Sequence, residues 1–200
     1  MVANRPVQQY AYAIGVLALG LAAVFGGLGR AEPERATLVK GQAITADPFT
    51  ITVDHTSWTT DLGTAGKAKR GHFLTIIGTL RNDTDTTVDF AAIESAVRFE
   101  GLTDVYQSPL KDDTGRSEDV VHPYGVFVTD DNTTLSSAAP GLTYTVAWVY
   151  EQRGTTAAPT SAEVTVQKHT FEPNVIDQVE HWSEPQNIAA ASFPMKKAGS

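Results

Sequence analysis

Short segments in which apolar and polar residues alternate at every second position do most to limit the folds open to this 200-residue chain. The most regular is "GLTYTVAWVYE" (Gly141–Glu151). Its apolar side chains on one face are Tyr144, Val146, Trp148 and Tyr150. Because successive side chains of a β-strand point to opposite faces of a sheet, this stretch is predicted to be a half-buried strand.

Six other stretches show strand-like patterns, and turn-forming residues separate them. "HFLTIIGTL" (His72–Leu80) is apolar at most positions, which is typical of a central strand buried on both sides. The Asn and Asp side chains of "NDTD" (Asn82–Asp85) can bond nearby backbone groups in a turn, and Thr86–Phe90 is expected to return as the partner strand. Further candidate strands are Phe49–Trp58, Ala96–Leu102, Tyr124–Thr129 and Ala162–Phe171. Short strands without a helical period predict a mainly β chain with an antiparallel, immunoglobulin-like β-sandwich over residues 48–171.

Charge and cysteine content exclude several classes of function. Residues 31–200 contain 13 basic and 23 acidic residues, a net charge of −10, whereas nucleic-acid binding requires a basic surface. We therefore expect no nucleic-acid partner. The chain has no cysteine, which excludes disulfides, a thiol nucleophile, thiolate metal sites and a lipid anchor on cysteine.

The N-terminal residues 10–29 contain no charged side chain. Twenty helical residues, at about 1.5 Å each, span the roughly 30 Å hydrocarbon core of a bilayer. A secretion signal typically has a shorter apolar region behind a basic segment, and only Arg5 precedes this stretch. We predict a single transmembrane helix here, while the small residues Gly29 and Ala31 leave cleavage before Glu32 open.

Small residues form a stripe along one side of this predicted helix, beside a bulky apolar stripe. Small side chains let a second membrane helix approach closely, because packing drives helix association within lipid. We therefore expect the helix to contact integral membrane protein subunits as well as the lipid bilayer. The predicted helix-packing face consists of Ala11, Gly15, Ala18, Ala22 and Gly29.

Basic residues flank the predicted helix unevenly, with one before it and three soon after it. They are Arg5, Arg30, Arg35 and Lys40. Taken alone, this distribution would keep the large domain in the cytoplasm, but long domains translocate largely regardless of flanking charge. The domain type and the lack of cysteine favour export. We predict a plasma-membrane protein with a cytoplasmic N-terminus (residues 1–9), a stalk with a first short strand (residues 30–47) and an extracytoplasmic main domain.

Two segments, "GTLRNDTDTTVDF" (Gly78–Phe90) and "SSAAPGLTYTVAWVYE" (Ser136–Glu151), are separated by a long acidic connection. In this pattern a long strand and an Asn-containing turn are followed later by Pro-Gly and an apolar strand. The region Phe49–Phe171 thereby resembles the immunoglobulin-like domain of unknown function in Gram-positive surface proteins. This resemblance implies an anchored sandwich and carries no catalytic residues. The layout is also similar to accessory subunits of actinobacterial membrane complexes, including the cytochrome bc–oxidase supercomplex.

The sequence contains no catalytic or cofactor motif. Its histidines show neither His-x-His nor His-x3-His spacing with a nearby carboxylate, as many zinc sites do. They are His55, His72, His122, His169 and His181. The acidic clusters "NDTD", "KDDTG" and "TDDN" suggest calcium, but none follows the twelve-residue helix–loop–helix pattern. We predict no cofactor, no metal and no enzymatic activity, although a Ser/His/Asp triad assembled from scattered residues stays open.

Residues 172–200 follow a different pattern. "NVIDQVEHW" (Asn174–Trp182) has apolar residues at i, i+1, i+4 and i+7, which favours a short helix with Asn174 as N-cap. The prolines and small residues beyond it cannot form a core of their own. We expect an extended C-terminal tail that either lies along a partner or is a loose terminus. Its candidate docking residues are Val175, Ile176, Val179, Trp182, Ile188, Phe193 and Met195.

Three hypotheses for function follow. The sequence favours a non-catalytic, single-pass membrane accessory subunit whose extracytoplasmic sandwich stabilises or shields a larger complex, such as a respiratory supercomplex. The alternative is a membrane-anchored binding module for a cell-wall polymer, a solute or a secreted partner. A hydrolase with a site built from dispersed residues is the third.

Overall fold

The structure is a computed structural model that describes residues 35–63, 66–68, 71–105, 123–173 and 180–199. Within these ranges the chain is mainly β, as its alternating pattern predicts. The stretch 10–29, with the predicted transmembrane helix and its packing face, lies outside them. Among the described residues, no helix has the length and apolar character needed to cross a membrane.

The described ranges contain eleven strands and one short helix. In chain order they are β1 (Ala36–Thr37), β2 (Ala43–Ala46), β3 (Phe49–Thr59), β4 (Gly71–Asn82), β5 (Val88–Asp89), α1 (Phe90–Ser95), β6 (Val97–Glu100), β7 (Gly125–Val128), β8 (Ser137–Ala138), β9 (Thr143–Arg153), β10 (Ser161–Pro173) and β11 (Glu180–Lys197). Six of them confirm predicted strands to within a few residues, namely β3, β4, β6, β7, β9 and β10.

Hydrogen bonds join the main strands in one path, β6-β10-β11-β3-β4-β9-β7, with β1 beside β11 and β2 beside β3. The two ends of this path pack against each other, since the ring centroids of Phe99 on β6 and Tyr150 on β9 are 5.2 Å apart. The result is a β-sandwich, as predicted. One layer is β6, β10, β11 and β1, and the other, called here the large layer, is β2, β3, β4, β9 and β7. The pairs β1–β11 and β11–β3 are parallel, so the predicted antiparallel arrangement does not hold throughout.

The core lies between the layers, and β9 supplies its two largest side chains, Trp148 and Tyr150. The indole Nε1–H of Trp148 donates to the carbonyl oxygen of Ile93 at 2.9 Å. The hydroxyl of Tyr150 donates to the carbonyl oxygen of Val97 at 2.7 Å. Burial raises the pKa of the Tyr150 hydroxyl, which therefore remains a donor. These bonds fix both polar tips within the apolar core.

The segment after β4 contains a helix where a partner strand was expected. Strand β5 pairs with β8, not with β4, and Phe90 begins α1. The carboxylate of Asp89 accepts the backbone N–H of Ala92 at 3.3 Å and so caps the helix. The prediction that Thr86–Phe90 returns beside β4 is therefore wrong, because the cap turns the chain into a helix after two strand residues.

The turn at the end of β4 is organised by one buried side chain, as the sequence predicts. The amide nitrogen of Asn82 donates to the carbonyl oxygens of Thr86 at 2.8 Å and Ala138 at 2.9 Å. Its Oδ1 accepts the backbone N–H of Thr84 at 2.9 Å. The side chain thus replaces backbone partners within the turn and also ties the turn to β8.

The C-terminal segment is a strand of the sandwich, so the prediction of a separate tail is wrong. Strand β11 pairs with β10 along most of its length, and its last residues pair with β3. Phe193 and Met195 are only 4% and 7% exposed and belong to the core, while Trp182 and Ile188 are partly buried against it. A partner therefore cannot dock on Phe193 or Met195.

The predicted helix ending at Trp182 is also wrong over the residues that the structure describes, because Glu180 and the residues after it form β11. The docking candidates Val175, Ile176 and Val179 lie outside the described residues. At the other end, Leu38 and Ala46 are buried in the core. The sandwich therefore begins near Ala36, within the segment 30–47 that was expected to be a stalk ending in a first short strand.

Candidate functional site

A β-bulge in β3 is the local feature from which the candidate site is built. Val53 pairs with Gly78 of β4, whereas the next pair joins His55 to Ile77. Asp54 is therefore an extra residue on β3. Such an insertion shifts the alternation of every side chain that follows it on the strand.

The shift decides which side chains leave the core. Before the bulge, Ile51 and Val53 are completely buried, and after it Thr56 is 2% exposed. His55 and Ser57 therefore point to the outer face of the large layer, the face that is turned away from the core.

The end of β11 adds a lysine beside these two residues. Met195 pairs with Thr56 and Lys196 pairs with Ser57. Because Met195 is buried in the core, Lys196 points to the outer face. The hydroxyl of Thr56 donates to the carbonyl oxygen of Pro194 at 3.0 Å and holds the two strands together at this point.

The next residue, Lys197, lies against an aromatic ring. Its ammonium nitrogen is 5.6 Å from the ring centroid of Trp58, within the range of a cation–π interaction. The backbone N–H of Ala198 donates to the carbonyl oxygen of Trp58 at 2.8 Å. These contacts hold the end of the chain beside β3.

A third lysine, Lys40, comes from the turn between β1 and β2. The backbone N–H of Gly41 donates to the carbonyl oxygen of Val53 at 2.9 Å, next to the bulge. Gly41 has a φ of +72°, a left-handed conformation that favours glycine. Leu38 anchors the other side of the turn because it is buried in the core. The turn is thereby fixed beside the outer face.

These elements enclose a cavity of about 450 Å³, called here the basic groove. On the outer face it is lined by two lysines, a histidine, a serine and an apolar wall, namely Lys40, Lys196, His55, Ser57, Ile77 and Pro194. Thr56 and Lys197 also border it, although they share the inward side of their strands with Met195, and Ala198 and Gly199 complete the described lining. None of the described residues that line the groove is acidic. A positive groove on a chain with a formal net charge of −8 is therefore a local exception to its overall charge.

The arginines of the described residues are placed differently. Each lies against a carboxylate, at distances of 2.9 to 3.4 Å. The pairs are Arg35–Glu100, Arg81–Asp83, Arg98–Glu100 and Arg153–Glu151. Although partial burial favours its neutral form, hydrogen bonds and charge from Arg98 hold the pKa of Glu100 below its usual range. Lys40 and Lys196, in contrast, form no ion pair with any described residue.

Lysine ammonium groups are compact positive charges that bind phosphate and other oxyanions as point charges. Planar carboxylates are recognised best by the forked guanidinium of arginine, which the groove lacks. The hydroxyl of Ser57 and the imidazole of His55 can add hydrogen bonds to anion oxygens. The arrangement therefore favours reversible binding of a tetrahedral oxyanion.

A second cluster pairs a serine with a buried histidine. The Oγ of Ser95 lies 2.8 Å from Nε2 of His169, a distance typical of nucleophile–base pairs. The same Oγ lies 2.6 Å from the carbonyl oxygen of Ala91, and Nδ1 of His169 has no hydrogen-bond partner among the described residues. Because no carboxylate among the described residues is hydrogen-bonded to the ring, we interpret the pair as a link between α1 and β10.

Sequence reasoning did not identify the basic groove. Lys40 and Lys196 are 156 positions apart, and no motif joins them. The alternation of apolar and polar residues ends at Val53, but the end of an alternating run does not show that the strand continues with one extra residue. The sequence therefore does not reveal that His55 and Ser57 point outward. Within the described ranges, no group of three metal-binding side chains is close enough to hold an ion. The acidic cluster of residues 111–115 lies outside these ranges.

Comparison with known proteins found similarity to solved structures only. No protein-family model matches the chain, and no curated protein sequence is similar to it. A β-sandwich protein of unknown function from Clostridium difficile shares 12% identity and a TM-score of 0.43, over 76% of this chain and 95% of its own. A candidate lipoprotein of Staphylococcus aureus shares 14% identity and a TM-score of 0.43, over 80% and 94%. Neither likeness is close enough to transfer a ligand, so the site rests on the geometry of this chain.

Proposed function

We propose that this protein is a non-catalytic binding module whose β-sandwich holds an anionic ligand in the basic groove. The observation that carries the proposal is the convergence of Lys40 and Lys196, which form no ion pair with any described residue, on one cavity without an acidic residue among its described lining. Proteins usually neutralise clustered like charges, because they repel one another. An anion supplied by a ligand would provide that neutralisation.

The predicted N-terminal membrane helix completes the proposal. A helix of this length would tether the sandwich to the plasma membrane, with the groove exposed outside the cell. A ligand there would be an anionic component of the cell envelope or its surroundings. We therefore favour the binding module over the accessory subunit, since the two tail residues Phe193 and Met195 are part of the core.

The test is calorimetric titration of the full-length chain, in mild detergent, with pyrophosphate as the probe. We expect saturable binding that weakens as salt is added, because added ions screen the lysine charges. The double variant Lys40→Gln/Lys196→Gln should bind at least about 10-fold more weakly, since a hydrogen bond to a charged group contributes about 1.5–3 kcal/mol.

The matched control is Lys168→Gln, because Lys168 is exposed on β10 and does not line the groove. We expect this variant to bind pyrophosphate like the natural chain. Equal losses in the control and in the single variant Lys196→Gln, which removes the same charge, would mean that net charge, not the groove, sets the affinity. Absence of saturable binding by the natural chain would contradict the proposal.

A second candidate function is the membrane accessory subunit. An aromatic pair at the outer end of the β10–β11 hairpin supports it, because Phe171 is 47% exposed and its ring centroid is 4.9 Å from that of Trp182. An exposed aromatic pair is a common contact for a protein partner. Mild solubilisation and a native gel test this candidate. Migration of the tagged chain alone, at about its own mass of 21.4 kDa plus detergent, would contradict it.

A further inference from the structure

A second cavity, of about 650 Å³, lies where β4 begins and β9 ends. We call it the aromatic pocket. Its lining residues are Gly66, Lys67, Phe73, Tyr124, Glu151, Arg153 and Gly154. Its volume lies within the range of about 300–1,000 Å³ that is typical of small-molecule sites.

Two aromatic rings form the apolar part of this pocket. The ring centroids of Phe73 and Tyr124 are 5.5 Å apart, with 56° between the ring planes. Phe73 is 3% exposed, whereas Tyr124 is 49% exposed. One ring is thus fixed and the other lies at the surface, where it offers an apolar face to a ligand. The C–H groups of a sugar ring can pack against such a face.

Charged side chains complete the pocket beside the rings. A guanidinium nitrogen of Arg153 donates to the carboxylate of Glu151 at 2.9 Å, and both residues point to the same side of β9. The ammonium group of Lys67 lies 2.8 Å from the carboxylate of Asp61. A carboxylate accepts hydrogen bonds and a guanidinium donates them, so together they match the hydroxyl groups of a sugar.

The aromatic pocket and the basic groove lie on the same face of the large layer. On β4, Leu74 and Ile76 point into the core, so Phe73, Thr75 and Ile77 point outward. Phe73 lines the pocket and Ile77 lines the groove. Phe73 and Ile77 are four positions apart on β4, so the two cavities are about 13 Å apart along the strand.

The register places both cavities along the same strand, β4. Phe73 pairs with Glu151 of β9, and Ile77 pairs with His55 of β3. Thr75, which is 7% exposed, lies between them along β4. A single small anion cannot occupy both cavities at this separation, whereas a chain of several rings can.

We infer that the ligand of the basic groove is an anionic polysaccharide whose charged groups bind the groove lysines while one of its sugar rings fills the aromatic pocket. This inference rests on the proposed function. Glu151 favours a polysaccharide with an uncharged ring at the pocket over a single-stranded nucleic acid, because a carboxylate accepts hydrogen bonds from the hydroxyls of that ring but repels the phosphate that accompanies every base.

Sulfated oligosaccharides of increasing length, compared with pyrophosphate, test the inference in the full-length chain. We expect affinity to rise steeply at the length that first reaches both cavities, because the second contact is then intramolecular. Tyr124→Ala should weaken binding of the longer oligosaccharides about 10-fold and leave pyrophosphate binding unchanged. Phe171→Ala, which also removes a half-exposed aromatic ring, is the matched control and should change neither.

The outcomes separate the two proposals. Normal pyrophosphate binding with no effect of Tyr124→Ala on long oligosaccharides would overturn this inference and leave the proposed function intact. Failure of both probes would overturn the proposed function. Equal affinity for a single-stranded oligonucleotide of the same charge, with the same dependence on Tyr124, would assign the face to nucleic acid instead. Glu151→Gln, which keeps size and shape, should weaken only the oligosaccharide.

Discussion

The inner and outer faces of β4 differ in what their side chains contact. The inner residues Leu74, Ile76 and Leu80 are fully buried in the apolar core. The outer residues Phe73 and Ile77 instead line two cavities whose other walls are charged. The inner face therefore determines whether the sandwich folds, and the outer face determines what it can bind. Substitutions on the two faces should have separable effects.

The largest expected effect comes from the inner face of β9. Trp148→Ala removes the largest fully buried side chain and its bond to Ile93, and we expect it to lower the free energy of unfolding by about 3–5 kcal/mol. Thr145→Ala, an exposed position on the same strand, should change it by less than about 0.5 kcal/mol. Chemical denaturation followed by far-UV circular dichroism measures both. Similar values for the two variants would contradict the assignment of faces.

The next effect tests whether β11 belongs to the inner core. Phe193→Ala should lower the free energy of unfolding by about 3 kcal/mol, because its side chain is 4% exposed. Phe171→Ala removes the same group from a position that is 47% exposed and should cost less than about 1 kcal/mol. Equal small losses would restore the view of residues 172–200 as a tail.

A third substitution, Gly78→Ala, tests whether the β3 bulge affects both stability and ligand binding. A Cβ at Gly78 would lie 1.9 Å from the carbonyl oxygen of Thr52, so Gly78→Ala must move the backbone of β3. We expect a loss of about 1–3 kcal/mol and weaker pyrophosphate binding, because the bulge orients His55 and Ser57. Thr79→Ala, at the neighbouring position, is the control for both measurements. A stable Gly78→Ala variant with normal affinity would separate the bulge from the groove.

The smallest expected effect concerns pH. Burial lowers the pKa of the His169 imidazole in the folded chain, while the nearby Asp47 carbonyl and the Asp89 carboxylate partly oppose this. The unfolded chain therefore binds this proton more tightly, and the contribution of His169 to stability is complete above about pH 6.5 and declines as pH falls below it. His169→Gln should flatten the dependence of the unfolding free energy between about pH 7.5 and 5.5.

The control for that measurement is Thr145→Ala, because Thr145 is exposed on β9 and carries no titratable group. As the pH is lowered, its unfolding free energy should decline as in the natural chain. A dependence that is the same in all three proteins would show that the link between α1 and β10 does not titrate in this range.

Some elements could be predicted because local pattern and tertiary packing agree. In β9, period-two alternation alone identifies Val146, Trp148 and Tyr150 as inward residues, and all three are fully buried. The Asn82 turn is likewise local, since Thr84 and Thr86 are two of its partners. In β11, by contrast, the inward positions include Ala189 beside Phe193 and Met195, and alanine gives little hydrophobic contrast.

The sequence by itself determined that this protein is mainly β, where most of its strands lie and which side of its strongest strand is buried, because a period of two is written into consecutive residues. Tertiary structure alone decided that β11 closes the sandwich and that Lys40 and Lys196 meet in one groove. Those features depend on pairing between segments far apart in the chain and on one extra residue at a bulge. Neither long-range pairing nor a single insertion leaves a periodic signal in the sequence.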